Sequence, residues 1–253
     1  MIGIYFSGTG NTEHCVGTFV KFIDNESILV SLESKDIRKY IRNEKDTIVF
    51  GYPTQFSNAP IFVREFIKEN KDVLKGKSIF IISTMGLFSG DGTGCTARLF
   101  KKAGAKVIGG LQVRMPDNIC DVSALKKSKE ENNKIIKKAN IKIKKSAKSY
   151  VDGNVTKDGL SIFSHIAGLF GQRLWFYSKT KNYSKKIKIN RDKCIKCGKC
   201  TTVCPTNNLI IIDSSVKSKN KCTMCYRCIS KCPEKAITLL GKEVLQQYSF
   251  DKC

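Results

Sequence analysis

Eight of the twelve cysteines in this 253-residue chain fall between Cys194 and Cys232. Cys194, Cys197, Cys200 and Cys204-Pro205 follow the spacing C-x2-C-x2-C-x3-C-P, and Cys222, Cys225, Cys228 and Cys232-Pro233 repeat it 28 residues later. Three thiolates at three-residue intervals on a tight loop reach three irons of one cubane, while the fourth is directed away and ligates a second cluster. Structural zinc needs four ligands without that three-plus-one division, and paired Cys-Pro endings have no role in it. Disulfides would require an oxidising compartment. Met1 to Phe6 carries no basic leader, and its apolar run is broken by Ser7-Gly8-Thr9-Gly10, so it reads as neither a signal peptide nor an anchor. The expected setting is reducing and cytoplasmic, and the expected metal content is two 4Fe-4S clusters. Cys15, Cys95, Cys120 and Cys253 have no cluster spacing and read as ordinary thiols.

A second constellation lies at the other end of the chain. Ser7, Gly8, Thr9, Gly10, Asn11 and Thr12 follow a short apolar run and open a helical pattern, the place where hydroxyls and backbone N–H groups can surround a phosphate. No Gly-Lys-Ser/Thr follows, which excludes the P-loop, and the glycine spacing is not the dinucleotide fingerprint. Two further loops follow apolar runs: Pro53, Thr54, Gln55, Phe56, Ser57 and Asn58, and then Thr84, Met85, Gly86, Leu87, Phe88, Ser89, Gly90 and Asp91. Phe56 and Phe88 are their central aromatics, each equally readable as a core residue. His14 and His165 read as structural or exposed rather than as proton donors.

The elements that must position these loops are strands at 2–6, 27–32, 47–52, 78–83 and 106–113, with helical spacing at 11–23, 60–70, 94–103 and 122–150. Continuous apolar strands alternating with helices imply a parallel sheet covered on both faces, with ligand loops at the carboxyl ends of its strands. Residues 151–185 form a connector in which Ile162, Phe163, Ile166, Leu169, Phe170, Leu174 and Trp175 make an apolar helical face. His165, Gln172 and Arg173 interrupt that face too often for a membrane span. Burial between domains or at a homodimer interface is expected for it, with a membrane-surface helix and a flexible connector as alternatives.

The cysteine segment resembles bacterial two-cluster ferredoxins, and residues 1–150 resemble flavodoxins. The whole chain is similar to the flavodoxin/ferredoxin fusions of anaerobic bacteria. This resemblance implies a doubly wound α/β fold, a five-stranded parallel sheet in the order 2-1-3-4-5, with a small α+β two-cluster domain at 186–253. It also implies crossed ligation, cluster I by Cys194, Cys197, Cys200 and Cys232 and cluster II by Cys222, Cys225, Cys228 and Cys204. FMN is the implied second cofactor, its phosphate at Ser7 to Thr12 and its ring between the loops at 53–58 and 84–91.

Charge bears on partners. The formal net charge is +23, and 16 basic and 12 acidic residues up to Cys120 contrast with 29 and 10 beyond it. Cluster thiolates would lower the total by about four and leave the chain strongly basic. Lys126 to Lys148 holds ten lysines and two glutamates on one helix, which reads as a solvated face. Acidic ferredoxins or flavodoxins are the expected partners, and nucleic acid is disfavoured because no recognition module accompanies the charge. The implied function is electron transfer between the clusters and FMN, linking one-electron carriers to two-electron chemistry. An FMN-dependent reductase of a small organic substrate and a cluster-bearing module without flavin are the rival expectations.

Overall fold

The computed structural model describes residues 1–250, with side chains throughout except at 172, 173 and 177–181, so that Cys253 lies outside the described residues. Strands β1 (Ile2–Tyr5), β2 (Ile28–Ser31), β3 (Thr47–Pro53), β4 (Ser78–Met85) and β5 (Lys106–Arg114) form one parallel sheet in the order β2-β1-β3-β4-β5. The helices between and after them are α1 (Asn11–Ile23), α2 (Ile37–Asn43), α3 (Ile61–Glu69), α4 (Lys71–Leu74), α5 (Gly92–Lys102) and α6 (Lys129–Val151). Period-two alternation divides the strands between two cores. Ile48, Phe50, Ile79 and Ile81 face Ile41, Val63, Phe66 and Phe100 on one side, whereas Val49, Phe80 and Ile82 face Val16, Phe19 and Ile143 on the other.

Helix α6 shows why its lysines are a solvated face. Ala139, Ile143 and Ala147 form a buried stripe against α1, and the lysines between them point outward. Ser128 and Glu131 close a capping box at its start, an arrangement worth about 1 kcal/mol. Helices α2 and α4 are absent from the sequence reading because they are short. In α2 the only buried residues are Ile37 and Ile41, a single i,i+4 pair too brief to establish a period.

The connector contains α7 (Ile162–Gly168), a π turn (Leu169–Arg173) and α8 (Leu174–Tyr183), and within the single chain Ile162, Phe163, Ile166, Phe170, Leu174 and Trp175 are all exposed rather than covered between the domains. It is anchored instead by its small residues, by His165 on Asp91 and by rings packed on Phe56. Gly168 sits where a Cβ at Gly90 would meet it, and Phe176 stacks on Phe56 with ring centroids 4.8 Å apart.

The remainder is a small two-layer unit of β6 (Lys188–Ile189), α9 (Lys199–Thr202), β7 (Leu209–Ile212), β8 (Ser215–Ser218), α10 (Arg227–Lys231) and β9 (Ile237–Thr238). β6 pairs antiparallel with β9, and β7 with β8. The cysteine repeat is also a backbone repeat. Lys196 and Met224 occupy equivalent places in the two loops at φ 58° and 55°, Gly198 and Tyr226 at 74° and 61°, and Asn207 and Lys235 at 48° and 49°. These left-handed residues fold each loop inward on its thiols.

This unit is fastened to the sheet domain by Asp121, a buried carboxylate that accepts bonds from the Tyr226 hydroxyl (2.9 Å) and the Leu239 and Leu240 N–H groups (2.7 and 2.9 Å). The tail then returns to the sheet domain, where Phe250 N–H donates to the Thr9 carbonyl and the Tyr248 hydroxyl to Asn11. Removing the Asp121 acceptor leaves three donors, two of them buried, without this partner. Asp121→Ala is expected to lower stability by about 3 kcal/mol and to expose the 186–250 segment to protease, as read by denaturant unfolding and limited proteolysis.

Candidate functional site

The carboxyl ends of β1, β3, β4 and β5 surround a cavity of about 240 Å³. Of the residues singled out from the sequence, Ser7, Gly8, Thr9, Asn11 and Thr12 line it, as do Pro53 to Phe56 and Thr84 to Phe88. Gly10, Ser57, Asn58, Ser89, Gly90 and Asp91 support these loops from behind. Gly10, at φ 94°, turns the chain into α1, and its N–H donates to Ser7 Oγ. Gln55 and Asn58 pair backbone to backbone across Phe56 and Ser57, both left-handed. Ser89 donates to Gln112, and the fully buried Asp91 is paired with Arg98 (2.7 Å) and with His165 Nδ1 (3.0 Å). His14 is held by Asn140 and stacks on Phe250. Both histidines are thereby engaged away from the cavity.

The three loops are tied to one another. Thr12 and Thr84 hydroxyls share a 2.8 Å bond, Thr54 Oγ1 donates to the Thr84 carbonyl, and Asn11 Nδ2 donates to the Pro116 carbonyl. Helix α1 starts without any side-chain cap, so its first-turn N–H groups face the cavity loop unmet by a side-chain oxygen. That is the donor set an anionic phosphate requires at a helix N-terminus.

Apart from Leu125, two parts of the wall escaped the sequence reading. One is the loop after β5, Met115 to Ile119, which follows the fifth strand as the earlier loops follow theirs; that position was its one available signal. Within it burial pushes the Asp117 carboxyl above the usual carboxylate range. The other is Met224, Cys225 and Tyr226, contributed by the cysteine-rich unit. Nothing in local sequence signals that contact, because it arises from packing of distant segments. Gln55 Nε2 donates to the carbonyls of Thr223 (2.8 Å) and Met224 (3.2 Å), and Asn118 Nδ2 to that of Cys225 (3.3 Å). Arg227 bonds the Ser7 carbonyl at 2.7 Å and forms a two-pronged ion pair with Glu33 at 2.6 and 2.7 Å.

Two further cavities lie among the cysteines. Cys194, Cys197, Cys200 and Cys232 line one, and Cys204, Cys222, Cys225 and Cys228 line the other. Each grouping draws three thiols from one repeat and the fourth from its twin. Helices α9 and α10 carry the chain across, from Cys200 to Cys204 and from Cys228 to Cys232. Among the described residues no three His, Cys, Asp or Glu side chains converge on a single metal ion. Thiolates around a four-iron cubane stand farther apart than those around one zinc.

The surroundings suit a sulfide-bearing occupant. Asn208 and Thr223 border the second cysteine cavity, and Asn208 Nδ2 and Thr223 Oγ1 are buried without a protein partner. Backbone N–H groups already aim at thiol sulfurs, Asn208 at Cys204 (3.2 Å), Ala236 at Cys232 (3.3 Å) and Met224 at Cys222 (3.4 Å). Such bonds stabilise a thiolate cluster and tune its potential. In the metal-free chain burial pushes the Cys225 thiol up to about 12 and raises Cys222 and Cys228 as well, so iron must displace their protons. The shells differ in one respect: Met224 beside the second site is buried, whereas Ile195 beside the first is 61% exposed.

Comparison with known proteins agrees with this division. The family model for the flavodoxin domain matches residues 2–167, and that for the 4Fe-4S dicluster domain matches residues 186–233. Among solved structures, two-electron reduced Megasphaera elsdenii flavodoxin shares 29% identity over 47% of this chain and 90% of its own, with a TM-score of 0.41. A flavodoxin-type WrbA-like protein from Agrobacterium tumefaciens shares 14% identity over 60% and 96%, with a TM-score of 0.43. The rubredoxin oxygen:oxidoreductase of the anaerobe Desulfovibrio gigas shares 15% over 59% and 36%, with a TM-score of 0.38. No curated protein matches the chain. The first domain implies FMN and the second implies 4Fe-4S clusters. With the flavodoxin match spanning most of its length and the dicluster match following it, the chain belongs to the flavodoxin family as a flavodoxin/ferredoxin fusion, an FMN and iron–sulfur electron-transfer protein.

Proposed function

We propose that the chain conducts electrons in a fixed order between a surface port at Cys194, Cys197, Cys200 and Cys232, an inner site at Cys222, Cys225, Cys228 and Cys204, and the flavin cavity. The observation that carries this is the shared wall. Cys225 and Tyr226 line both the inner cysteine cavity and the cavity bounded by the phosphate loop. The clusters exchange single electrons, and FMN bound by the loops at Ser7 to Thr12, 53–58 and 84–91 supplies two-electron chemistry. What the protein itself does is hold these sites in contact and in sequence. Gln55, Asn118 and Arg227 grip the 223–227 backbone against the phosphate loop, while Cys197 and Ile195 stay open to solvent at the far end.

The proposed units are 1–150 for the flavin and 186–253 for the clusters, joined by 151–185. The proposed compartment is the reducing cytoplasm, in keeping with every described cysteine being an unpaired thiol. Among the described residues no helix is long and apolar enough to cross a membrane. The surface port supports an acidic partner of the ferredoxin or flavodoxin kind. Lys193, Lys196 and Lys199 are exposed around Cys197 and Ile195, a basic rim with an apolar centre.

Three expectations test this order. Cys204→Ala should remove the cluster signal of the inner site, although Cys204 belongs to the first repeat, and Cys232→Ala that of the port; iron content with electron paramagnetic resonance distinguishes them, and loss confined to the same repeat would reverse the assignment. Position 8 tests the contact, because a Cβ on Gly8 would lie 2.0 Å from the Cys225 carbonyl oxygen. Gly8→Ala should therefore part the two loops and slow cluster-to-flavin transfer by about tenfold or more per bound flavin, seen by stopped-flow absorbance with flavin occupancy quantified in parallel. Exchange with an acidic ferredoxin should slow as ionic strength rises, since the attraction is screened beyond about 10 Å at 0.1 M salt; a rate indifferent to salt would remove the basic port from the scheme.

A further inference from the structure

The connector presents an apolar surface that the electron route leaves unused. Phe163, Trp175 and Phe170 are 79%, 69% and 62% exposed, and Ile162, Ile166 and Leu174 are exposed beside them on the same two helices and π turn. Leu87 and Phe88 extend the surface to the mouth of the flavin cavity, with Phe88 in contact distance of the Gly171 turn. An exposed patch dominated by large aromatic and aliphatic side chains marks a docking surface rather than ordinary solvent-facing chain.

The charge around it selects the occupant. From Gly159 to Arg191 the sequence holds no aspartate or glutamate, and Lys185 and Lys186, directly after α8, are exposed. A second copy packed symmetrically on this face would bring cations against cations with no acid in the segment to pair them. A bilayer bearing anionic lipid meets both demands, taking aromatic and aliphatic side chains at the headgroup boundary and pairing Lys and Arg with phosphates. The segment is also too short and too interrupted to span, and no described helix qualifies as a span.

We infer that α7, the π turn and α8 form a membrane-surface docking site for anionic phospholipid, lying in the interface without crossing it. Because Leu87 and Phe88 belong to both patch and cavity, docking brings the flavin mouth to the bilayer.

The chain carries one tryptophan, Trp175, which reports on this face directly. Full-length protein with iron and flavin loaded is mixed with vesicles of phosphatidylcholine alone or with added phosphatidylglycerol, and binding is followed by sedimentation and by Trp175 emission. The expected result is binding to the anionic vesicles with a blue shift of the emission, weakened by salt and absent with phosphatidylcholine alone. The double variant Phe163→Ser/Phe170→Ser, both sites being exposed, should keep its iron and flavin and partition about tenfold less. Three results overturn the proposal: no binding to anionic vesicles; undiminished binding by the double variant, which would assign the attraction to lysines elsewhere, such as those of α6; or a concentration-dependent dimer that the same substitutions dissolve, which would assign the face to a second copy.

Discussion

The backbone of the second cysteine loop approaches the phosphate loop so closely that the Cys225 carbonyl occupies the space a side chain at position 8 would need. Neither loop can adopt its conformation independently of the other. The carbonyls of residues 223, 224 and 225 accept from Gln55 and Asn118, side chains that belong to two loops at the sheet edge. Arg227 reaches back to the Ser7 carbonyl and is neutralised there by Glu33. The C-terminal tail completes the enclosure, bonding Asn11 and Thr9 from the other side. The flavin cavity is therefore built jointly by residues from both ends of the chain. An interface of side chains bonded to backbone carbonyls, with one partly buried ion pair, favours a fixed distance between the halves over a sliding one.

The two cysteine repeats share their backbone and differ in their surroundings, and the difference follows from this docking. Where the first repeat has Gly198 in a left-handed conformation, the second has Tyr226, for which that conformation costs of order 1–3 kcal/mol. Tyr226 offsets the strain by burying its ring and donating to Asp121. Lys196 and Cys197 of the first loop are exposed where their counterparts Met224 and Cys225 are buried. The duplicated sequence thus yields one loop shaped for solvent and one shaped for a protein surface.

The sheet, its strand order and its site edge were legible because their signals are local. Val49, Phe50, Ile81 and Ile82 lie in apolar runs that only a strand covered on both faces can bury. The cysteine spacing was legible for a similar reason, since ligation to one cluster constrains residues three apart. Met115 to Ile119 and Met224 to Tyr226 were not, because each becomes part of the cavity only when distant segments meet. The connector was legible only in part. Its helical apolar face is present, but periodicity reports which residues share a side and not what covers that side. Gly90 and Gly168 meet closely beneath it, and that contact of two small residues leaves the large ones outside.

The distribution of charge now has a structural account in place of a single net value. The lysines of α6 surround a buried Ala139, Ile143 and Ala147 stripe and serve mainly to keep a long amphipathic helix solvated. Those near Cys197 are exposed beside an exposed cysteine and an exposed isoleucine, the surface that the proposed acidic partner would meet. Equal charges therefore have unequal consequences, and what separates them is the apolar surface each group surrounds. On α6 that surface is already covered by α1, whereas beside Cys197 it remains exposed.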